Sequence, residues 1–435
     1  MEYGLKVKGL IDGVSDELRG ERILGIRDNE IAFVARPGEV SGEMPILDAG
    51  NLIAMPGLID CHVHIRTNGE TDRRLQPLTD LPGESTLRAV NNAQADLRSG
   101  YTTLRDCGGM EALAVRNSAS RGETLVPRIL AAGYGISATA GHMDQDRYVG
   151  ARVLSNPGVA DSPDEVRRVA RNLLKLGVDL IKTNATGGTF GNGHRPNPGA
   201  QQSTEDELRA AVEVARMAGK RVASHAMGEA GIRAAVNAGV DSIEHGFWLT
   251  EDVAHQMAEQ GTFFVPTMAT LYRNTTRGFD GPGMTEEWKE HLRQRAIRVR
   301  ARLFESLRFA IDAGVKIVAG SDMGGGPFLY HGECATELSQ LVEAGLTEME
   351  AIKAATSLAA ELVDRDDVLG RLQEGYWADV ILVDGDPSKD ISVLQDGKSV
   401  RGVILGGAAV SLSRELLQAE GVVESIWGRV PWVAD

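Results

Sequence analysis

The chain has 435 residues, 42% of them hydrophobic and 25% charged, enough for a large core and too apolar for a disordered or fibrous protein. Its 61 acidic residues outweigh 46 basic ones for a net charge of -15, which repels phosphate backbones and anionic membranes beyond a screening length of about 8 Å and argues against nucleic acid as a partner. The start at Met1 has no basic-then-apolar leader and no stretch reaches the ~18 apolar residues of a membrane span; three scattered cysteines, Cys61, Cys107 and Cys334, suit reduced thiols, so a cytoplasmic enzyme is expected.

Short β-like pieces come first, Arg22-Ile23-Leu24-Gly25-Ile26 and Ile31-Ala32-Phe33-Val34, parted by Gly, Asp and Asn turn signals. Apolar runs of four to six residues then alternate with longer helical patterns, as βα units around a buried parallel sheet do. Eight runs end on a polar or metal-binding residue: Leu58-Ile59-Asp60-Cys61-His62, Thr102-Thr103-Leu104-Arg105-Asp106, Ile129-Leu130-Ala131-Ala132, Leu180-Ile181-Lys182, Val222-Ala223-Ser224-His225, Ser242-Ile243-Glu244-His245, Phe263-Phe264-Val265-Pro266 and Ile317-Val318-Ala319-Gly320-Ser321-Asp322. Between them, Ser203-Thr204-Glu205-Asp206-Glu207 opens a helix with a capping signal and Gly219 stops it. Other helices are expected to begin near Pro163, Gly228 and Thr250. The stretch from Thr285 to Gly314 is long for one globular helix, so a bend, a lid or a packing arm is expected there. The tail returns to strand patterns, Ala378-Asp379-Val380-Ile381-Leu382-Val383 and Val403-Ile404-Leu405, with Gly406-Gly407 turning into Ala408-Ala409-Val410. The predicted fold is α/β: a (β/α)₈ barrel over residues 57–359, and a small β-sandwich domain composed of both chain ends, residues 1–56 and 360–435.

A barrel builds its active site at the C-terminal ends of its strands, and five of the eight endings carry metal-binding types. His62 and His64 are two apart, so on a strand they leave the same face and can share a cation. His225 and His245 close successive strands. Asp322 closes the last, where one carboxylate oxygen could bind metal while the other accepts a proton. A lysine such as Lys182 at the end of an apolar strand is discharged by desolvation, and a neutral amine can take up carbon dioxide as a carbamate whose two oxygens bridge two ions. The alternative for Lys182 is a salt bridge, with Asp106 as the partner.

Pro56-Gly57-Leu58-Ile59-Asp60-Cys61-His62-Val63-His64 resembles the opening signature of the amidohydrolase superfamily. Ile181-Lys182-Thr183-Asn184-Ala185-Thr186-Gly187-Gly188, Ser224-His225-Ala226, Ile243-Glu244-His245-Gly246 and Ala319-Gly320-Ser321-Asp322 are similar to its prolidase-like and carboxypeptidase-like branch. The segment from Gly370 to Val380 resembles that family's return from the barrel to its β-sandwich. The resemblance implies two divalent ions, usually zinc: His62, His64 and Asp322 on one, His225 and His245 on the other, and carboxylated Lys182 between. It implies amide hydrolysis by a bridging hydroxide, with Asp322 as the catalytic group passing the proton to the departing nitrogen. His142 resembles a substrate-facing histidine of the branch. His194 and Arg195 are candidates to meet a substrate carboxylate, and Tyr272 to line the pocket. Dipeptide-cleaving relatives carry a tyrosine after the histidine-alanine pair, where this chain has Met227, which suits a more apolar acyl or aryl group. The expected reaction frees a C-terminal amino acid such as proline from a dipeptide or an N-acyl amino acid. Hydrolysis of non-peptide amides, carbamates, ureas or lactones is the alternative, and a silent binding barrel is disfavoured because no metal position is lost. The expected partners are a small-molecule substrate and further copies of the chain.

Overall fold

A computed structural model describes residues 2–40, 44–70, 76–144, 156–188, 199–280, 283–395, 397–413, 416 and 427–434. The N-terminal part forms β1 (Glu2–Val7), β2 (Gly9–Leu10), β3 (Arg22–Arg27), β4 (Glu30–Ala35), β5 (Ile46–Asp48) and β6 (Ile53–Pro56). The middle supplies β7 (Leu58–Val63), β8 (Tyr101–Asp106), β9 (Arg128–Ala131), β10 (Leu180–Asn184), β11 (Arg221–Ala226), β12 (Ser242–His245) and β13 (Phe263–Val265). The tail adds β14 (Val380–Val383), β15 (Val400–Leu405), β16 (Ala408–Ser413) and β17 (Trp427–Ala434).

The two ends are woven together. One sheet runs β4-β3-β1-β5 and another β17-β16-β15-β14-β6-β2, so β6 pairs antiparallel with β14 across more than three hundred residues of chain. One apolar core joins Leu5, Leu24, Ile26 and Leu47 to Val380, Leu382, Ile404 and Leu412. Tyr3 donates its hydroxyl to Gly407 O at 3.0 Å, tying the first strand to the last hairpin. That hairpin turns through Gly406 and Gly407, both at positive φ (55° and 78°), the backbone a two-residue turn requires and glycine accepts without strain. The N-terminal strand β1 had no distinct signal, because Gly4 and the charged Lys6 interrupt its apolar residues.

In the middle, all strand pairs are parallel: β7-β8-β9 form one sheet and β10-β11-β12-β13 another. Backbone hydrogen bonds cross the seam between them, Asp179 N to Ala131 O (2.9 Å) and Asn184 N to Ile136 O (3.0 Å). The eighth apolar run makes single bridges instead of a regular strand, Ile317 with Phe264 and Met323 with Val63. Its ladder is interrupted because the buried carboxylate of Asp60 takes the Ser321 N–H (3.0 Å) that a neighbouring carbonyl would otherwise accept. It still bonds on both sides, Val318 N to Phe264 O (2.9 Å) and Cys61 N to Ala319 O (3.0 Å).

Helices follow the strands where their caps lie. Thr204 and Glu207 form a reciprocal capping box at Glu205–Met217, Ser162 caps Pro163–Lys175 with proline in its first turn, and Glu229–Ala238 and Glu251–Gln260 end on left-handed glycines. The segment expected to bend, to act as a lid or to pack as an arm is a single helix, Glu286–Ala313, capped by Thr285 and stopped by Gly314 at φ 75°. Leu292, Ala296, Val299, Leu303, Leu307 and Ala310 give it a continuous buried stripe along its length, and that packing carries a helix well beyond usual length. Cys61, Cys107 and Cys334 are all buried free thiols. Among the described residues no helix is long and apolar enough to cross a membrane.

Candidate metal centre

The strand ends converge. His64 Nε2 stands 3.3 Å and His62 Nε2 3.7 Å from Asp322 Oδ1, and ligand atoms of these three residues all lie within 4.8 Å of one another. The His245 ring is 5.0 Å from that of His62 and 4.6 Å from that of His225, centroid to centroid, so the four predicted histidines form one continuous group. Two of the converging residues bend the backbone to do so: His245 has φ 73° and Asp322 φ 58°. Side chains rarely tolerate that region, and such strain concentrates at functional sites.

Lys182 is 3% exposed, and its Nζ has no hydrogen-bond partner among the described residues. The salt bridge to Asp106 does not form. The Asp106 oxygens are taken by the backbone N–H groups of Ile65 (2.8 Å) and Gly108 (2.9 Å). A buried amine without a partner is costly to keep, which fits a lysine whose nitrogen is completed by a further group.

Burial, and next the nearby Lys182, hold His62 far below its ordinary pKa; burial, and next His142, do the same to His225. Burial brings His245 to about 3. Burial also depresses His64, but its hydrogen bond to Asp322 together with the charges of Asp322 and Asp106 outweighs this and lifts it above the ordinary value. Burial raises Asp322, yet the hydrogen bond from His64 and the charges of His62, His64 and His245 leave it well below the usual carboxylate range. The neutral imidazoles of His62, His225 and His245, with His64 hydrogen-bonded to an ionised carboxylate, offer the nitrogen and oxygen donors a divalent transition metal takes. With the partnerless Lys182 nitrogen, the residues present fit such a centre.

Several supporting residues escaped the sequence reading. Glu244 Oε2 meets His62 Nδ1 at 2.6 Å, which makes Nδ1 the donor and turns the Nε2 lone pair to the cluster. On a regular strand Glu244 and His245 would leave opposite faces; the positive φ at His245 brings both inward, and alternation alone could not have shown it. Thr270 Oγ1 donates to Asp322 Oδ2 at 3.1 Å, and Thr267 Oγ1 meets His245 Nδ1 at 2.7 Å. Both open the helix Met268–Thr276, whose first backbone N–H groups bond the buried carboxylate of Glu337. A Cβ at Gly325 would run into Asp322 Oδ1.

Of the candidate substrate residues, His142 stacks on His225 with ring centroids 4.0 Å apart and planes 20° from parallel. Met227 is 8% exposed and packs in the main apolar core, with its N–H on Thr186 Oγ1 (2.9 Å). Tyr272 is half-buried on the helix that carries Thr270, with the Arg273 guanidinium 5.8 Å from its ring. His194 and Arg195 lie outside the described residues.

Residues 53–410 match the profile of the Amidohydrolase family. The chain is similar to an ochratoxinase of Aspergillus niger, at 33% identity over 428 residues, 92% of this chain and 84% of that protein. A crystal structure of a Xaa-Pro dipeptidase with methionine bound in its active site superposes with a TM-score of 0.84 at 32% identity, covering 94% of this chain and 99% of that one. A prolidase in complex with N-methylphosphonate-L-proline gives 0.82 at 30% identity, covering 94% and 99%.

Proposed function

From the premise that the chain belongs to the amidohydrolase family and hydrolyses carbon–nitrogen bonds, we propose that it frees a C-terminal amino acid, proline among the candidates, from a dipeptide or N-acyl amino acid at a binuclear metal centre. The observation that carries this reading is the convergence of His62, His64 and Asp322 within 4.8 Å beside a buried lysine nitrogen with no partner among the described residues. We read the parallel strands, with their bonded seams, as a closed (β/α)₈ barrel over residues 57–359, and the interleaved end sheets of residues 1–56 and 360–435 as a β-sandwich.

His62, His64 and Asp322 would hold one ion, His225 and His245 the other, and carboxylated Lys182 would contribute an oxygen to each. Zinc suits these nitrogen and oxygen donors. Two such ions supply a water acidified to near neutrality and a Lewis acid for the scissile carbonyl.

The chain's own residues divide the remaining work. Thr270 holds Asp322 Oδ2 while Oδ1 faces the histidines, so the carboxylate is fixed in orientation. Its depressed pKa keeps it ionised and able to receive the nucleophile's proton, which it passes to the departing amine. Glu244 holds His62 in one tautomer and Thr267 orients His245. His142, which stacks on His225, would meet substrate beside the second ion.

The amino acid and proline analogue bound by the two similar enzymes support a substrate with an amino-acid leaving group. A second reading, cleavage of a non-peptide amide, is favoured by the likeness to an ochratoxinase. Amine release from matched dipeptides, N-acyl amino acids and aryl carbamates tests both. Cleavage confined to compounds with a free C-terminal carboxylate is expected, whereas cleavage of neutral amides or carbamates alone would refute the amino-acid-releasing reading.

A further inference from the structure

Beneath the four histidines a buried cation crosses the middle of the strands. Arg105, on β8 and 3% exposed, donates through Nε to Cys61 O on β7 (2.5 Å), and through Nη1 to Ser242 Oγ on β12 (3.1 Å). Its Nη2 reaches both oxygens of Glu244, at 2.8 and 3.0 Å. Glu244 is fully buried, receives the Ser242 hydroxyl on Oε1 (2.5 Å), and presents Oε2 to His62 Nδ1 at 2.6 Å. The other three histidines are backed by neutral oxygens: Gly108 O for His64 (3.4 Å), Thr267 Oγ1 for His245 (2.7 Å) and Gly187 O for His225 (3.5 Å). Among the described residues, His62 is thus the one of the four whose ring nitrogen turned away from the cluster meets a carboxylate.

A carboxylate behind a metal-binding imidazole fixes its tautomer and ring plane and raises its basicity. A fully buried carboxylate in turn needs a compensating charge, and the planar fork of arginine supplies one while fixing the direction of both oxygens. We propose that Arg105 and Glu244 form a positioning relay for His62 that sets how tightly the His62, His64 and Asp322 half of the centre holds its ion; the inference rests on the metal-centre reading above. The two halves are then unequal, because among the described residues the His225 and His245 half has no such relay.

The competing explanation is a plain buried ion pair that ties β7, β8 and β12 together. The double variant Arg105→Met/Glu244→Gln separates the two. It removes both charges at once, which a fold often tolerates, and leaves an amide oxygen to accept from His62 Nδ1. Zinc affinity is measured by competition with a chromophoric chelator, and the Co²⁺-substituted protein is read by its visible spectrum, with circular dichroism reporting the fold. The relay predicts a folded variant in which one of the two ions binds about 10–100-fold more weakly, with an altered Co²⁺ spectrum, and the other ion is unchanged. Both ions bound with wild-type affinity, or both weakened alike, would overturn it. Should the double variant not fold, Arg105→Lys keeps the charge and loses the fork; it is expected to weaken the same ion, and unchanged affinity there would equally overturn the relay. Wild-type protein that takes up no zinc would overturn the metal-centre reading and the relay with it, whereas wild type with two ions and variants unchanged overturns the relay alone.

Discussion

Replacing Lys182 by methionine should change stability in opposite directions with and without metal. In the metal-free chain the Lys182 nitrogen is buried without a hydrogen-bond partner among the described residues, and an unsatisfied buried polar group costs about 1–3 kcal/mol. Methionine fills similar space with no such group, so the metal-free Lys182→Met protein should be more stable than metal-free wild type by about that amount. With zinc the order reverses. At a free zinc concentration 100 times the dissociation constant, the wild type gains about 2.7 kcal/mol, while a variant that lacks the bridging group gains less or nothing. Urea unfolding followed by circular dichroism, on chelator-treated protein and again after zinc is restored, reads both arms. A metal-free variant less stable than metal-free wild type would mean that the nitrogen already has a favourable partner, and would refute the reasoning for Lys182 as a bridge.

Asp322→Asn keeps the shape and removes the proton acceptor, so turnover should fall about 10²–10⁴-fold with the fold intact by circular dichroism; a variant that keeps most of its activity removes Asp322 from proton transfer. Gly325→Ala should also abolish most turnover, because the new Cβ occupies the place of Asp322 Oδ1; wild-type rates would show that the carboxylate can be displaced without loss. His245 predicts a pH effect on the metal-free protein. Its folded pKa is about 3 against an ordinary 6.5, so between these values the unfolded chain binds a proton that the folded chain refuses. Its contribution to stability is therefore complete above pH 6.5 and lost as pH falls toward 3. Urea midpoints measured across that range should fall less steeply in His245→Gln than in wild type, and equal slopes would contradict the assignment.

All six proposed metal ligands could be picked from sequence because they gather at the ends of five apolar runs, and a strand end is where side chains leave the core for a common face. The composite end sheets were legible for a related reason: the Gly406-Gly407 turn and the flanking β-branched runs are local signals. What pairs at long range was not. The Thr270 contact to Asp322 depends on how the helix Met268–Thr276 is docked by Glu337, sixty-nine positions from Met268 in the chain. Arg105 was quoted as part of a strand ending without a role, since its partners Cys61, Ser242 and Glu244 lie on two other strands. Length alone leaves Glu286–Ala313 open between a bend, a lid and a packing arm, and its continuous buried stripe favours the packing arm. Met227, expected at the pocket, is mostly packed into the core.

Amine release from an N-acyl amino acid, followed before metal removal, after chelation and after zinc is restored, shows whether hydrolysis depends on the metal centre. Hydrolysis is expected to stop on chelation and to return with zinc to its starting rate. Hydrolysis that continues undiminished in protein shown by elemental analysis to hold no metal would contradict it.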